Sequence, residues 1–167
     1  MHSVNTLVNT LSCIPTSICS WNYRVRGFED GEASLTFNRL TEQGNISIAG
    51  ANFDVVKHGW LSGCWTLEHD GQPYATGKKP SAFTRTLEVE SGELTLTLKP
   101  GMFSHVFEIR AGDEVLGRIR PAHLFTRRAF VECTGSVPVP VQLFSFWLVA
   151  LMWRRQSHKN NKPGGPG

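Results

Sequence analysis

Eight basic side chains fall in three short stretches of the chain: Lys78, Lys79 and Arg85; Arg118 and Arg120; and His123, Arg127 and Arg128. Clustered cations of this kind can hold a phosphate or an anionic membrane surface, where each Lys or Arg near the surface contributes about 1 kcal/mol. Arg118 and Arg120 flank the apolar Ile119 and so share the wet face of a strand, while Lys78, Lys79 and Arg85 surround a turn. A second reading stands beside the first. The same cations can be ordinary solvated positions, paired across strands with Glu88, Glu90, Glu108 and Asp113 to keep a sheet soluble.

Catalytic patterns are scarce. Gly59-Trp60-Leu61-Ser62-Gly63 carries its serine one place off the spacing of a nucleophile elbow, and there is no His-Glu-x-x-His, phosphate-binding Gly-Lys-Ser/Thr loop or dinucleotide fingerprint. His58, His69, His105 and His123 lie on separate strands or loops, so no metal site is expected. Glu68 and Asp70 are near neighbours, yet Asp70 belongs to an Asp-Gly turn. A non-enzymatic protein without a cofactor is the expectation.

Length and charge narrow the classes further. The 167 residues suit one domain with a real core, and a net charge of +3 falls short of the basic footprint of a nucleic-acid binder. Cys13, Cys19, Cys64 and Cys133 form no Cys-x-x-Cys pair, which argues against zinc and against a disulfide framework and suits a reducing compartment. Residues before Trp21 lack an early Lys or Arg and a strong apolar centre, so they do not read as a secretory signal. A cytoplasmic protein, peripheral at a membrane if it meets one, is expected.

From Trp21 to Cys133 the chain alternates with a period of two: Leu35 and Phe37, Ile46 and Ile48, Trp65 and Leu67, and Leu94, Leu96 and Leu98 are each separated by one polar residue. Such alternation marks antiparallel strands with one dry and one wet face. Turns are expected at Asp30-Gly31, Gln43-Gly44-Asn45, His69-Asp70-Gly71, Ser91-Gly92 and Ala111-Gly112-Asp113. An internal repeat lays Ser81–Pro100 over Gly101–Pro121 with one inserted residue, matching Glu88 to Glu108, Val89 to Ile109, Gly92 to Gly112 and Pro100 to Pro121. The repeated unit is a hairpin.

After the strands comes a segment apolar all round, Val139 to Trp153, stopped by Arg154 and Arg155, whose charges complement the C-terminal end of a helix dipole. From Pro140 to Trp153 it is only about 21 Å long as a helix, short of the roughly 30 Å hydrocarbon core. The expected fold is therefore mainly β: a closed antiparallel β-barrel of about 10–12 strands around a buried hydrophobic C-terminal α-helix at about 139–155. Residues 1–20 are read as a segment preceding the barrel, with disorder one of the readings left open. Residues 21–155 form the barrel and its helix, and 156–167 a flexible basic Pro/Gly tail.

A barrel of about a dozen strands around such a helix resembles the tubby C-terminal-like superfamily, which includes tubby proteins, phospholipid scramblases and LURP-one-related proteins. Gly117-Arg118-Ile119-Arg120-Pro121, Phe125-Thr126-Arg127-Arg128 and the helix Leu143 to Arg155 carry the resemblance, over most of the chain. In tubby proteins a Gly-Lys-Leu-Arg strand binds a phosphoinositide headgroup; Lys78 falls on its Lys, Pro80 replaces its Arg, and Lys79 offers only a point charge. The resemblance implies binding of an anionic lipid headgroup or phosphate-bearing ligand, and the clustered cations make Lys78, Lys79, Arg85, Arg118, Arg120, Arg127 and Arg128 the expected binding residues. Two alternatives stand: a scramblase-like protein with its C-terminal helix in the bilayer, and a protein-interaction scaffold using Trp21 and Trp60.

Overall fold

The computed structural model describes residues 7–29, 31–59, 61–102, 104–161 and 164. In chain order the strands are β1 (Val8–Pro15), β2 (Tyr23–Arg26), β3 (Ala33–Phe37), β4 (Gly44–Ile48), β5 (Ala51–Lys57) and β6 (Cys64–His69), then β7 (Gln72–Lys78), β8 (Leu87–Ser91), β9 (Leu94–Pro100), β10 (Phe107–Ala111), β11 (Glu114–Pro121) and β12 (Ala129–Thr134), followed by the helix α1 (Val139–Asn160). Every strand pairs antiparallel with its neighbours in sequence, and β1 closes the ring against β12, with Val8 opposite Thr134 and Cys13 opposite Ala129. The period of two is the cause. Tyr23 and Val25, Leu35 and Phe37, Leu96 and Leu98, and Val131 and Cys133 turn inward and are buried, while their polar neighbours face out.

The enclosed space is filled by α1, in which every residue from Val141 to Leu151 is buried. Trp147 stacks on Phe37 at 4.6 Å between ring centroids, and Phe146 meets Tyr23 edge-on at 5.0 Å. At about 25 cal/mol per Å² of apolar surface, such burial is the main stabilising term. Gly77 on β7 marks a close approach of wall and helix, since a Cβ built there would lie 2.5 Å from Cδ1 of Leu148 and 3.2 Å from Cζ of Phe144. Pro140 sits in the first turn of α1, where its missing N–H leaves no partner wanting. Among the described residues no helix is long and apolar enough to cross a membrane.

The strand count, the closure and the enclosed helix match the sequence expectation; four boundaries differ. Residues 8–15 are a barrel strand rather than a preceding segment, because Leu11 and Cys13 are inward residues with polar Thr10 and Ser12 beside them. Gly44 and Asn45 belong to β4, opposite Phe37 and Thr36; the turn lies earlier, where Oδ1 of Asn38 accepts hydrogen bonds from the amides of Leu40 and Thr41. The β4–β5 turn, absent from the expected set, is Ala49-Gly50, with Ala49 at φ 48°. Finally, α1 continues to Asn160, seven residues beyond the apolar run and into the stretch read as tail.

Of the other expected turns, Asp70-Gly71, Gly92-Glu93 and Gly112-Asp113 form two-residue hairpin loops; Asp30 lies outside the described residues. Gly92 and Gly112 share φ 58°, so the two copies of the repeat turn alike. The inserted residue of the second copy is absorbed by a β-bulge: the register shifts between Ile109, opposite Gly117, and Arg110, opposite Val115, leaving Leu116 without a partner in the ladder.

A basic and apolar rim as the candidate binding site

Alternating strand direction sorts the connections onto two rims. One rim carries the β2–β3 link, residues 27–32, the two-residue links β4–β5, β6–β7, β8–β9 and β10–β11, and the entry to α1; the other carries the loops 16–22, 38–43, 58–63, 79–86, 101–106 and 122–128, together with the exit of α1. The rims differ in charge. The links of the first rim hold Glu29, Glu32, Asp70, Glu93 and Asp113 and no Lys or Arg, whereas the loops of the second hold Arg39, Lys79, Arg85, Arg127 and Arg128 against a single acid, Glu42. The helix exit adds Arg154, Arg155 and Lys159 to the basic side.

The basic rim is also apolar at its tips. Each of its six loops raises at least one large apolar side chain into solvent: Ile18, Leu40, Leu61, Phe83, Met102, and the pair Leu124 and Phe125. Phe83 and Phe125 are 99% and 98% exposed. A recurring turn presents them. The amides of Ser20, Ser62, Ser104 and Thr126 each bond the carbonyl three residues back, which places an apolar residue at the corner. The hydroxyls of Ser20, Thr84, Ser104 and Thr126 then each accept a hydrogen bond from the amide two residues on.

The residues picked from sequence divide between this rim and the barrel wall. Arg85 lies on the rim, with Nη2 3.5 Å from the carbonyl of Ser104 and its guanidinium over Phe107. Arg127 donates to the carbonyl of Ser20 at 3.0 Å and stacks over Trp21 at 4.9 Å, and Arg128 is exposed beside it. Lys79 reaches the carbonyl of Ala82 at 3.3 Å. Burial holds its ammonium below the usual range, and the nearby charges of Arg155 and Lys159 lower it further. Lys78 ends β7 with an exposed side chain, opposite Glu88 in the ladder.

Arg118 and Arg120 do not join the patch. Both grip Glu132 on the neighbouring strand, Arg118 through Nε and Arg120 with Nη2 2.9 Å from Oε1. Here the cross-strand pairing reading is the one realised, although the partner is Glu132. Hydrogen bonding from Arg120 is the chief cause of a Glu132 carboxyl held below its usual range. Glu108 is taken by Arg110 at 2.7 Å.

Sequence reasoning passed over the apolar tips and the acid-poor rim. Trp21 is half-buried under Arg127; Trp60, its proposed companion, lies outside the described residues. The readable signal for the tips was an apolar residue standing just before Ser or Thr in an otherwise polar loop, as in Leu40-Thr41, Leu61-Ser62, Phe83-Thr84 and Phe125-Thr126. Among the described residues no group of His, Cys, Asp or Glu is placed to hold a metal ion. No protein-family model matches the chain, and neither a curated protein nor a solved structure does.

Proposed function

We propose that the protein is a non-enzymatic binding module that docks its basic rim on an anionic lipid surface. The observation that carries this reading is the coincidence, on one rim, of exposed apolar tips with every Lys and Arg of the loops between strands and a single acid. Apolar tips gain by leaving water at the headgroup boundary, and cations beside them gain from anionic headgroups. The acidic opposite rim gives the barrel a polarity that turns the basic rim toward a negative surface before contact. The resemblance to tubby-like barrels, in strand number and enclosed helix, belongs to the same proposal.

In this reading the helix stays inside. Drawing α1 into a bilayer would expose its buried residues and empty the barrel, whereas the tips already stand in solvent. The test is flotation of the detergent-free protein with neutral and with phosphatidylserine-rich vesicles at low and physiological salt. Binding to the anionic vesicles, weakened by salt and by Arg85→Glu with Arg128→Glu, is expected. Absence of binding to either vesicle overturns the reading and leaves the apolar tips to a protein partner.

A further inference from the structure

Between the β3–β4 loop and the last turns of α1 lies an open cavity of about 820 Å³, lined among others by Arg39, Glu42, Lys57, Arg154, Arg155 and His158. Four permanent cations therefore face one carboxylate. That carboxylate is fully engaged: Glu42 takes both hydrogen bonds of Arg155, at 2.9 and 2.6 Å, and the ammonium of Lys57 at 2.5 Å. Among the described residues no second acid pairs with Arg39 or Arg154. Arg39 offers Nη2 to the carbonyl of Cys19 at 3.2 Å, and Arg154 donates Nη2 to the backbone carbonyl of Arg39 at 2.8 Å. Nη1 of Arg154 is shielded from solvent without an acceptor among the described residues.

We infer that this cavity is a binding site for a phosphomonoester, with Arg39 and Arg154 as its guanidinium ligands and the Lys57–Glu42–Arg155 cluster as its floor. A phosphomonoester brings a charge of roughly −1.5 to −2 and three acceptor oxygens, suited to guanidinium donors and to a site with excess positive charge. Cations near a helix C-terminus also answer the helix dipole. That explanation suffices for a cation that reaches helix carbonyls, but Arg154 turns to the β3–β4 loop instead, and Arg39 belongs to that loop. The cavity has room for a carrier of small polyol size beside the phosphate.

The inference deepens the membrane reading by naming a headgroup chemistry, but the site serves a soluble phosphorylated polyol equally well, so the experiment separates the two sources. Titration of the full chain with glycerol 3-phosphate probes the soluble arm; flotation with phosphatidic acid vesicles against phosphatidylserine vesicles of matched surface charge probes the lipid arm. Expected are saturable glycerol 3-phosphate binding, or a preference of about tenfold for phosphatidic acid, either of them lost in Arg39→Gln with Arg154→Gln. Arg39→Gln alone, at an exposed side chain, is expected to weaken the same binding about tenfold if the double variant fails to fold. Glycerol 3-phosphate binding without vesicle binding supports the site and removes the membrane reading. Equal binding to both vesicles, no glycerol 3-phosphate binding and no effect of Arg39→Gln overturn the site while the membrane reading stands.

Discussion

Arg155 near the end of α1 holds Glu42 of the β3–β4 loop through two parallel hydrogen bonds, Nε to Oε1 at 2.9 Å and Nη2 to Oε2 at 2.6 Å. Glu42 itself sits at φ 54°, a left-handed conformation unfavourable for a residue with a Cβ. The bidentate grip, reinforced by Lys57, holds that backbone in place and ties the helix to the rim. Arg155 and Lys57 also lie over the ring of buried Trp65, at 5.5 and 5.8 Å, so the charge cluster rests on the apolar core.

Glu42→Gln should therefore lower stability by about 1–3 kcal/mol, because the negative charge is lost and an NH2 donor replaces one of the two oxygens that Arg155 and Lys57 share. Burial opposes ionisation of the Glu42 carboxyl, yet hydrogen bonds from Arg155 and Lys57 outweigh it and hold the group below its usual range. Its folded pKa thus lies under an unfolded value of about 4.3. The stabilisation is present above that value and is lost as pH falls through the folded pKa. Urea unfolding at neutral and at acid pH should show the difference between the native protein and Glu42→Gln narrowing in acid; a constant difference would contradict the pairing.

Gly77→Ala should destabilise the protein by about 1–3 kcal/mol, since its Cβ would press on Leu148 and Phe144 inside a closed wall that cannot move away. A melting temperature equal to that of the native protein would mean that helix and wall do not meet there.

Ala49→Asn should act in the opposite direction. Ala49 holds φ 48° in a two-residue hairpin turn with Gly50, and Asn-Gly is the pair such turns favour. A gain of about 0.5–1 kcal/mol in urea unfolding is expected; a loss would count against the turn.

Replacing Phe83 and Phe125 together with Ser should leave the melting temperature within a degree or two, as neither side chain packs on anything, while lowering partition onto anionic vesicles severalfold. Undiminished partition would remove the apolar tips from the docking surface.

Thiol labelling offers a check on the interior. Cys19 is exposed and should react fastest, with the half-buried Cys64 slower. Burial pushes the Cys133 thiol up to about 11 and Cys13 higher still, so both should stay unlabelled until the chain unfolds. Rapid labelling of all four would show an open barrel.

The wall and its filling were legible in the chain because each is a local pattern: alternation at Leu94, Leu96 and Leu98, and an apolar run from Leu143 to Leu151 interrupted by Ser145 alone. What escaped reading depends on distant partners. Residues 8–15 have a modest pattern of their own and become a strand between β2 and β12, whose residues come from opposite parts of the chain. The helix outruns its apolar stretch to Asn160 because extending an established helix by a turn requires little once its buried part is fixed. The rim escaped for a similar reason: one apolar residue in one polar loop carries no message until six such loops are drawn to the same end. Arg118 and Arg120, so prominent in sequence, were already committed to Glu132 across the ladder.

The position of α1 in the chain has a consequence for how the protein comes to be. All twelve strands precede the helix they enclose, and the seam joins Val8 to Thr134, across nearly the whole sheet. During synthesis, every strand has emerged from the ribosome before any of the segment around which they close. Until then their inward leucines, phenylalanines and valines have only one another or a chaperone for cover, and such long-range closure is slow. Folding is thereby deferred to the appearance of the helix, and a chain interrupted before Val139 would be a sheet without an interior, prone to aggregation rather than to partial function.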